Sequence, residues 1–146
     1  APTLEEVKAN AAGVLLVCKL QNHYDIHHLF TKEDALTTFF ASILRSERFG
    51  ESSALGRANI IIYNYLGQAG AFYRKASNQY SLDLGKMESA LSDLTALVLK
   101  MQATGDKAAA EQFEAQYSKR NADYDADRLY LGLEKIPADI RFEFKR

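Results

Sequence analysis

The sequence predicts a mainly α-helical protein, a compact bundle of five or six helices with a minor β-hairpin and a short C-terminal strand. Apolar residues recur at three- to four-residue spacing over most of the chain, which is the period of helices with one buried face. Capping residues, glycines and prolines separate these periodic segments. The 146 residues are 47% hydrophobic and 25% charged, which is the composition of one globular domain. We therefore assign residues 1–146 to a single helical domain.

The first predicted helix runs from Thr3 to about Asn22, because its apolar residues fall on one face. These residues are Leu4, Val7, Ala11, Val14, Leu15 and Cys18. Thr3 and Glu6 have the spacing of a capping box, in which each side chain accepts a hydrogen bond from the other residue's backbone amide. Such a box would explain Glu6 without any further function. Residues 22–25 are predicted to form the exit loop.

The second helix is predicted to begin in the segment 31–34 and to reach about Ser46. The third spans about 54–68 and contains the three isoleucines 60–62. Their β-branched side chains would also suit a strand, but the surrounding apolar spacing favours a helix. Gly67 and Gly70 are predicted to end this helix.

Two short aromatic runs at 71–75 and 80–83, separated by a polar turn, predict a β-hairpin. The next helices are predicted over 84–103, where a long apolar stripe includes Leu97, and over 107–119. A final helix over about 123–135 precedes a proline, and the alternating tail 140–145 predicts the C-terminal strand.

Charge and composition exclude several classes of function. The chain has 18 Lys and Arg against 19 Asp and Glu, a formal charge of −1, which argues against a nucleic-acid partner bound through bulk positive charge. No apolar run approaches the roughly 18–20 residues of a membrane helix, so no membrane partner is expected. The single cysteine, Cys18, excludes an internal disulfide and is predicted to be a buried thiol. We expect a reducing, cytoplasmic location.

The histidines and nucleophiles show no complete catalytic pattern. His23 and His27 have the i,i+4 spacing of a metal-binding pair, but they fall in a predicted loop, and the glutamate of a His-Glu-x-x-His motif is absent. Solvated or capping histidines are the favoured interpretation. The sequence contains neither a nucleophile elbow nor a glycine-rich phosphate loop. We therefore predict no catalytic residue within this chain.

Six segments, in order along the chain, share short motifs with one family. They are Glu5–Asn10, Phe40–Gly50, Glu51–Asn59, Tyr63–Leu66 with Gly70–Phe72, Leu99–Asp106 and Leu133–Ile140. The first resembles the Glu-Glu-x-Arg/Lys-Ala-Asp/Glu motif of the M49 metallopeptidases, the dipeptidyl peptidase III family. The third resembles the family's Ala-His-Gly-Lys/Arg run. Taken together, the segments make nearly the whole chain resemble the C-terminal portion of the peptidase catalytic lobe.

The resemblance implies a two-lobed zinc exopeptidase that removes dipeptides from peptide N-termini. In that family, two histidines of a His-Glu-x-x-Gly-His helix and the second glutamate of the Glu-Glu motif hold the zinc. Glu6 matches this third ligand, and Glu5 matches the glutamate before it. Arg57 lies in the run that resembles Ala-His-Gly-Lys/Arg and is a further candidate for the cleft.

Three departures from the family pattern bear on activity. The His-Glu-x-x-Gly-His motif is absent, and one carboxylate cannot by itself hold a catalytic zinc. Asn10 stands where the family has an acid, and an amide orients a ligand histidine less well than a carboxylate does. Leu55 stands at the family's histidine and cannot donate a hydrogen bond to a transition state.

Two hypotheses follow for the function. In the first, the chain is a C-terminal fragment or truncated homologue of such a peptidase, inactive on its own. It would bind no cofactor by itself and would take part in a zinc site only with the missing N-terminal peptidase region as partner. In the second, it is a standalone non-catalytic helical module that binds peptides or proteins, with a homodimer as one form. Whether the chain is an enzyme remains open at this point.

Overall fold

A computed structural model describes residues 2–24, 28–46, 49–75 and 79–120 of the chain. The elements in these residues are α1 (Pro2–Tyr24), α2 (Lys32–Ser46), α3 (Ala54–Gln68), β1 (Phe72–Arg74), β2 (Tyr80–Leu82), α4 (Leu84–Thr104) and α5 (Lys107–Tyr117). The prediction of a mainly helical fold with a small hairpin is confirmed. The predicted helix at 123–135 and the strand at 140–145 lie outside the described residues.

The central element of the bundle is α3, which packs against α1, α2, α4 and α5. All six residues from 58 to 63 are buried, so the isoleucines at 60–62 lie in a helix that is covered on nearly every side. A helix surrounded in this way needs apolar residues all round. This explains why the segment could also be taken for a strand. The helical interpretation is confirmed.

The apolar stripe of α4 faces this core. Its buried residues are Met87, Ala90, Leu91, Leu94, Val98 and Met101. Leu97, which the spacing placed in the stripe, is instead 36% exposed and lines a surface pocket between α4 and α5. Leu97 was therefore wrongly predicted to be part of the buried stripe. Successive residues of a helix lie about 100° apart around its axis, so Leu97, next to the buried Val98, falls at the border of the buried face.

α1 is apolar on two sides. Its inner side is buried against α3 and α4 as predicted, although Leu15 is only half-buried. A second apolar surface points away from the bundle, and we call it the outer face of α1. This outer face consists of Ala9, Gly13, Leu16, Val17, Leu20 and Tyr24, all exposed except the half-buried Leu20. A contiguous apolar surface of this kind is uncommon on the free surface of a protein.

The predicted capping box at the start of α1 is wrong. The helix begins at Pro2, so Thr3 lies inside the first turn, where its buried hydroxyl accepts a hydrogen bond from Arg57 Nε at 3.2 Å. Proline suits the first helical position because its fixed φ is already helical and its missing N–H is not needed there. At the other end, α1 continues to Tyr24 and contains His23, which was predicted to lie in the exit loop.

A reciprocal capping arrangement does occur at the start of α2. The Thr31 amide donates to Asp34 Oδ2 at 2.8 Å, and the Asp34 amide donates to Thr31 Oγ1 at 3.1 Å. The Thr31 hydroxyl also donates to Asp34 Oδ2 at 2.7 Å. These bonds satisfy two amides that a helix start would otherwise leave unpaired. The predicted beginning of the second helix is confirmed.

The cap of α2 gives a testable pH dependence. The backbone and side-chain hydrogen bonds from Thr31 hold the pKa of Asp34 below its ordinary value of 3.8. Because the folded-state pKa is the lower one, this stabilisation is present above the unfolded-state pKa and is lost as the pH falls through the folded one. We expect Asp34→Asn to flatten the fall in Tm below about pH 4. Glu33→Gln, in the same turn, is the control and should leave the acid profile unchanged.

The hairpin is held to the bundle by aromatic side chains. β1 and β2 are antiparallel, with Phe72 opposite Leu82 and Arg74 opposite Tyr80. The Phe72 ring centroid lies 4.7 Å from those of both Phe40 on α2 and Tyr63 on α3. An isolated two-stranded hairpin is marginally stable in water, so these contacts account for its formation here.

Candidate functional site

Glu5 is tied to α4. Its Oε2 lies 2.6 Å from Lys8 Nζ, and Gln102 Nε2 donates to its Oε1 at 2.7 Å. Lys8 Nζ also donates to Gln102 Oε1 at 3.0 Å, which closes a triangle of three side chains. The hydrogen bond from Lys8 lowers the pKa of the Glu5 carboxyl. Glu5 therefore joins α1 to α4, and its carboxylate is already engaged.

Glu6 has a different environment, because the next residue of a helix lies roughly 100° around the axis. It is half-buried, and its carboxylate has no hydrogen bond or ion pair with any residue in the described ranges. Asn10, also half-buried, follows one turn later on the same side of α1. Since Thr3 is not a cap, Glu6 has no capping role either. The two side chains border the outer face of α1 and could bind a group outside this part of the protein.

Arg57 connects the first turns of α1 and α3. Its Nε donates to Thr3 Oγ1, and its Nη1 donates to the carbonyl oxygens of Glu51 at 2.8 Å and Ser52 at 3.2 Å. These bonds fix the loop before α3 against the start of α1. The guanidinium thus positions the turn that carries Glu6 rather than lying free in a cleft. Local sequence patterns give no signal for this contact, since Thr3 and Arg57 are 54 residues apart.

Leu55 lies in the first turn of α3 and is 37% exposed. Ser53 caps this helix, accepting a hydrogen bond from the Gly56 amide at 2.9 Å. A Cβ atom on Gly56 would overlap the backbone carbonyl of Gly50, so only glycine allows the loop to pack here. The structure therefore brings the turn of Leu55 and Arg57 next to the turn of Glu6, while Glu5 faces α4.

Asn59, one turn after Leu55, is a residue that sequence reasoning missed. It is only 4% exposed, and its Nδ2 finds no hydrogen-bond partner among the described residues. An unpaired buried donor is costly and calls for a partner such as water or another part of the protein. The sequence did contain a signal for a buried polar group, because Asn59 interrupts an apolar segment of α3, the helix that is buried on nearly every side.

An apolar groove of about 380 Å³ between α1 and α2 adjoins the outer face at Val17. Its other lining residues are Val14, Phe30, Asp34, Ala35, Thr38, Phe39 and Ser42. Only Asp34 among them carries a charge, and it is bonded to Thr31. The outer face of α1 and this groove thus form one continuous apolar surface.

The described residues contain no group of three or more His, Cys, Asp or Glu side chains that could hold a metal ion. A catalytic zinc needs about three protein ligands, so Glu6 could supply one of them and the others would have to come from elsewhere. His23 is exposed in the last turn of α1, and His27, the other histidine of the i,i+4 pair, lies outside the described residues. Cys18 is buried as predicted, and burial raises the pKa of its thiol.

None of the helices in residues 2–24, 28–46, 49–75 and 79–120 combines the length and apolar character that crossing a membrane requires.

Three comparisons place the chain among known proteins. No protein-family model matches it. Nudix hydrolase 3 from Arabidopsis thaliana is 30% identical over 145 residues, which cover 94% of this chain and 18% of that protein. The chain thus spans less than a fifth of this relative, and most of that protein has no counterpart in the match.

Two solved structures share the fold over nearly the whole chain. Dipeptidyl peptidase III from Caldithrix abyssi superposes with a TM-score of 0.78 and 26% identity, covering 95% of this chain and 26% of that one. Dipeptidyl peptidase III from Corallococcus sp. strain EGB superposes with a TM-score of 0.80 and 29% identity, covering 96% and 26%. The chain therefore has the fold of about a quarter of a dipeptidyl peptidase III chain, and this similarity supports its interpretation as a fragment of that family.

Proposed function

We propose that this chain is the C-terminal helical portion of a zinc dipeptidyl peptidase of the dipeptidyl peptidase III type and is inactive on its own. In this proposal, Glu6 supplies one ligand to the zinc, and the region that precedes the chain supplies the two histidines. The structural neighbours support the proposal, since this chain covers only 26% of each of them.

The observation that carries the proposal is the outer face of α1. This apolar surface is uncovered in the described structure, and Leu16 within it is 56% exposed. Contiguous exposed apolar surface in a soluble protein marks a place where another structure packs. The half-buried Glu6 borders this face and has no partner among the described residues. A docked region would therefore cover the apolar face and meet the Glu6 carboxylate at the same time.

The donor chemistry fits a zinc ligand, because a carboxylate oxygen is one of the groups that bind Zn²⁺. When bound, zinc would lower the pKa of a water molecule and polarise a peptide carbonyl. The chain's own residues add positioning: Arg57 holds the first turn of α1 through Thr3. The Asn10 amide would orient a histidine ligand less strongly than a carboxylate. Leu55 offers no hydrogen-bond donor, and so we expect weak catalysis even in the assembled protein.

Zinc binding tests this proposal. The chain would be purified alone and in complex with the region encoded upstream of Ala1, and the zinc content of each would be measured after dialysis. We expect about one zinc per complex and none retained by the chain alone, because about three ligands are needed. In the complex, Glu6→Gln should lower the zinc affinity by at least about tenfold. Even the loss of a residue that only hydrogen-bonds to a metal ligand lowers metal affinity by about 10–100-fold.

Glu5→Gln is the matched control, since the neighbouring glutamate is engaged with Lys8 and Gln102. It should leave the zinc content unchanged. Equal loss in both variants would point to damage to α1 and not to a lost ligand. A complex that binds zinc equally well with and without the Glu6 carboxylate would overturn the assignment.

A second candidate function is a standalone, non-catalytic module that binds peptides or proteins. Leu55 and Asn10 favour it, because neither side chain is suited to the role that the family resemblance implies at its position. In that case, no upstream region would dock on the chain, and purified chain alone would bind partners through the outer face of α1. Failure of the upstream region to form any complex would favour this candidate.

A further inference from the structure

We propose that Gln102 on α4 is a positioning residue that fixes the direction of the Glu6 carboxylate. The inference rests on the proposed function, because it takes Glu6 as a zinc ligand. A ligand must be held to within about 0.5 Å and 10–20° of its productive geometry, and hydrogen bonds in its surroundings provide this restraint. Gln102 acts on the helical turn that carries Glu6 and not on the carboxylate itself.

The first two turns of α1 need directional restraint. Their inner side is held by the burial of Leu4 and Val7, which are 2% and 0% exposed. Burial of apolar surface is non-directional, so it sets the rotation of the helix about its own axis only loosely. The ends of helices also open more readily than their middles. Hydrogen bonds have preferred distances and angles and can therefore set this rotation.

Two links hold this part of α1 on opposite flanks. On one flank Arg57 donates to Thr3 Oγ1 at 3.2 Å, and on the other Gln102 donates to Glu5 Oε1 at 2.7 Å. Thr3 and Glu5 lie about 160° apart around the helix axis, and Glu6 projects between them, about 60° from Thr3 and 100° from Glu5. A rotation of the helix that moved the Glu6 carboxylate would therefore strain one link or the other.

Gln102 suits this role because its amide both donates and accepts. Besides the donation to Glu5, its Oε1 accepts from Lys8 Nζ at 3.0 Å. Lys8 follows Glu5 by three residues, so one side chain of α4 holds two successive turns of α1. The Glu5 side chain is 60% exposed, and exposed ion pairs add little to global stability. We therefore expect the three side chains to act locally, on the turn that carries Glu6.

Amide hydrogen exchange of the purified full chain tests this local role. Gln102→Met removes both bonds of Gln102 and replaces it with a side chain of similar length and helix preference. The backbone amides of Glu6 and Val7 should exchange about three- to tenfold faster, because opening the turn would break fewer hydrogen bonds. The urea midpoint should stay nearly unchanged. Gln112→Met, the same change at an exposed glutamine of α5, is the control and should leave exchange in α1 unaltered.

Transposing the carboxylate and the amide provides a rescue. Gln102→Glu alone would bring two carboxylates together and should loosen the turn. The double variant Glu5→Gln with Gln102→Glu moves the carboxylate to α4 and the amide to α1, so the three bonds can form again at the same net charge. We expect slow exchange to return. Glu5→Gln alone keeps an oxygen that accepts from Gln102 and leaves the bond from Lys8 in place, so it should not disturb Glu6.

The zinc affinity of the complex with the upstream region tests the positioning itself. Gln102→Met should lower this affinity about three- to tenfold, less than the loss of the Glu6 carboxylate, because the ligand is still present. The transposed double variant should restore it. Faster exchange in α1 with an unchanged zinc affinity would show that Gln102 only stabilises the turn and would overturn its positioning role.

The two measurements separate this inference from the proposed function. Unchanged exchange in Gln102→Met would overturn the inference and leave Glu6 as a zinc ligand. A complex that binds no zinc even with the unmodified chain would overturn the proposed function, and the positioning role of Gln102 would fall with it. The exchange rates of the free chain would still show whether Gln102 holds the first turns of α1.

Discussion

On the proposed function, Leu55→His is expected to raise the kcat of the complex with the upstream region about 100-fold, because the resemblance implies at this position a histidine that stabilises the transition state. The side chain of Leu55 is 37% exposed in the first turn of α3, so an imidazole can be accommodated there without displacing core residues. The turn is fixed next to that of Glu6 by the bond from Arg57 to Thr3. Steady-state kinetics of dipeptide release from a synthetic peptide would measure the change.

Leu97→His provides the matched control, because Leu97 is 36% exposed but lies between α4 and α5. It should leave kcat unchanged. If the two histidine variants behaved alike, Leu55 would not face the reacting groups. An increase in KM without any change in kcat would likewise argue against a role in the transition state.

Gly56→Ala is expected to destabilise the fold by about 2–3 kcal/mol, within the usual range for overpacking. The new Cβ would overlap the carbonyl of Gly50, which is backbone and cannot rotate away as a flexible side chain can. The loop would have to move, and with it the carbonyl groups that accept from Arg57. Urea denaturation should show a lower midpoint with an unchanged m-value.

Gly85→Ala is the comparison for this effect. Gly85 lies in the first turn of α4, where an added Cβ would make only an ordinary contact of 3.7 Å with Asp83 Oδ1. Alanine is the better helix former, so this variant should gain about 0.5–1 kcal/mol. Similar midpoints for the two variants would show that the Gly50 loop does not restrict Gly56.

Local patterns were sufficient for most helix positions. The bounds of α3 agree with the prediction, and α4 differs by one residue at its end, where Gly105 with a φ of 63° terminates it. Periodicity and caps act within a few residues, so they can be seen in the sequence. The start of α1 was predicted wrongly because two local rules competed there. Pro2 at the first helical position prevailed over Thr3 as a cap.

The candidate site was predictable only in part. Motif spacing selected Glu5 and Glu6 together, but it could not show that Glu5 binds Gln102, which is 97 residues away. The contact from Arg57 to Thr3 was hidden for the same reason. Such pairs form only when helices pack, and no local preference encodes them. The exposed outer face of α1 was likewise visible only after the neighbouring helices had been placed, because periodicity identifies the buried side of a helix but does not show what covers the other side.

The intact mass of the protein from its native source, read against the open reading frame around Ala1, is the most direct test of the central claim. If the chain is the C-terminal portion of a zinc peptidase, the frame will continue upstream and encode a His-Glu-x-x-Gly-His motif. The native mass will then exceed that of these 146 residues, unless processing releases them. A frame that begins at about Ala1, with a native mass to match, would contradict the claim and leave a protein whose activity must lie in what the outer face of α1 binds.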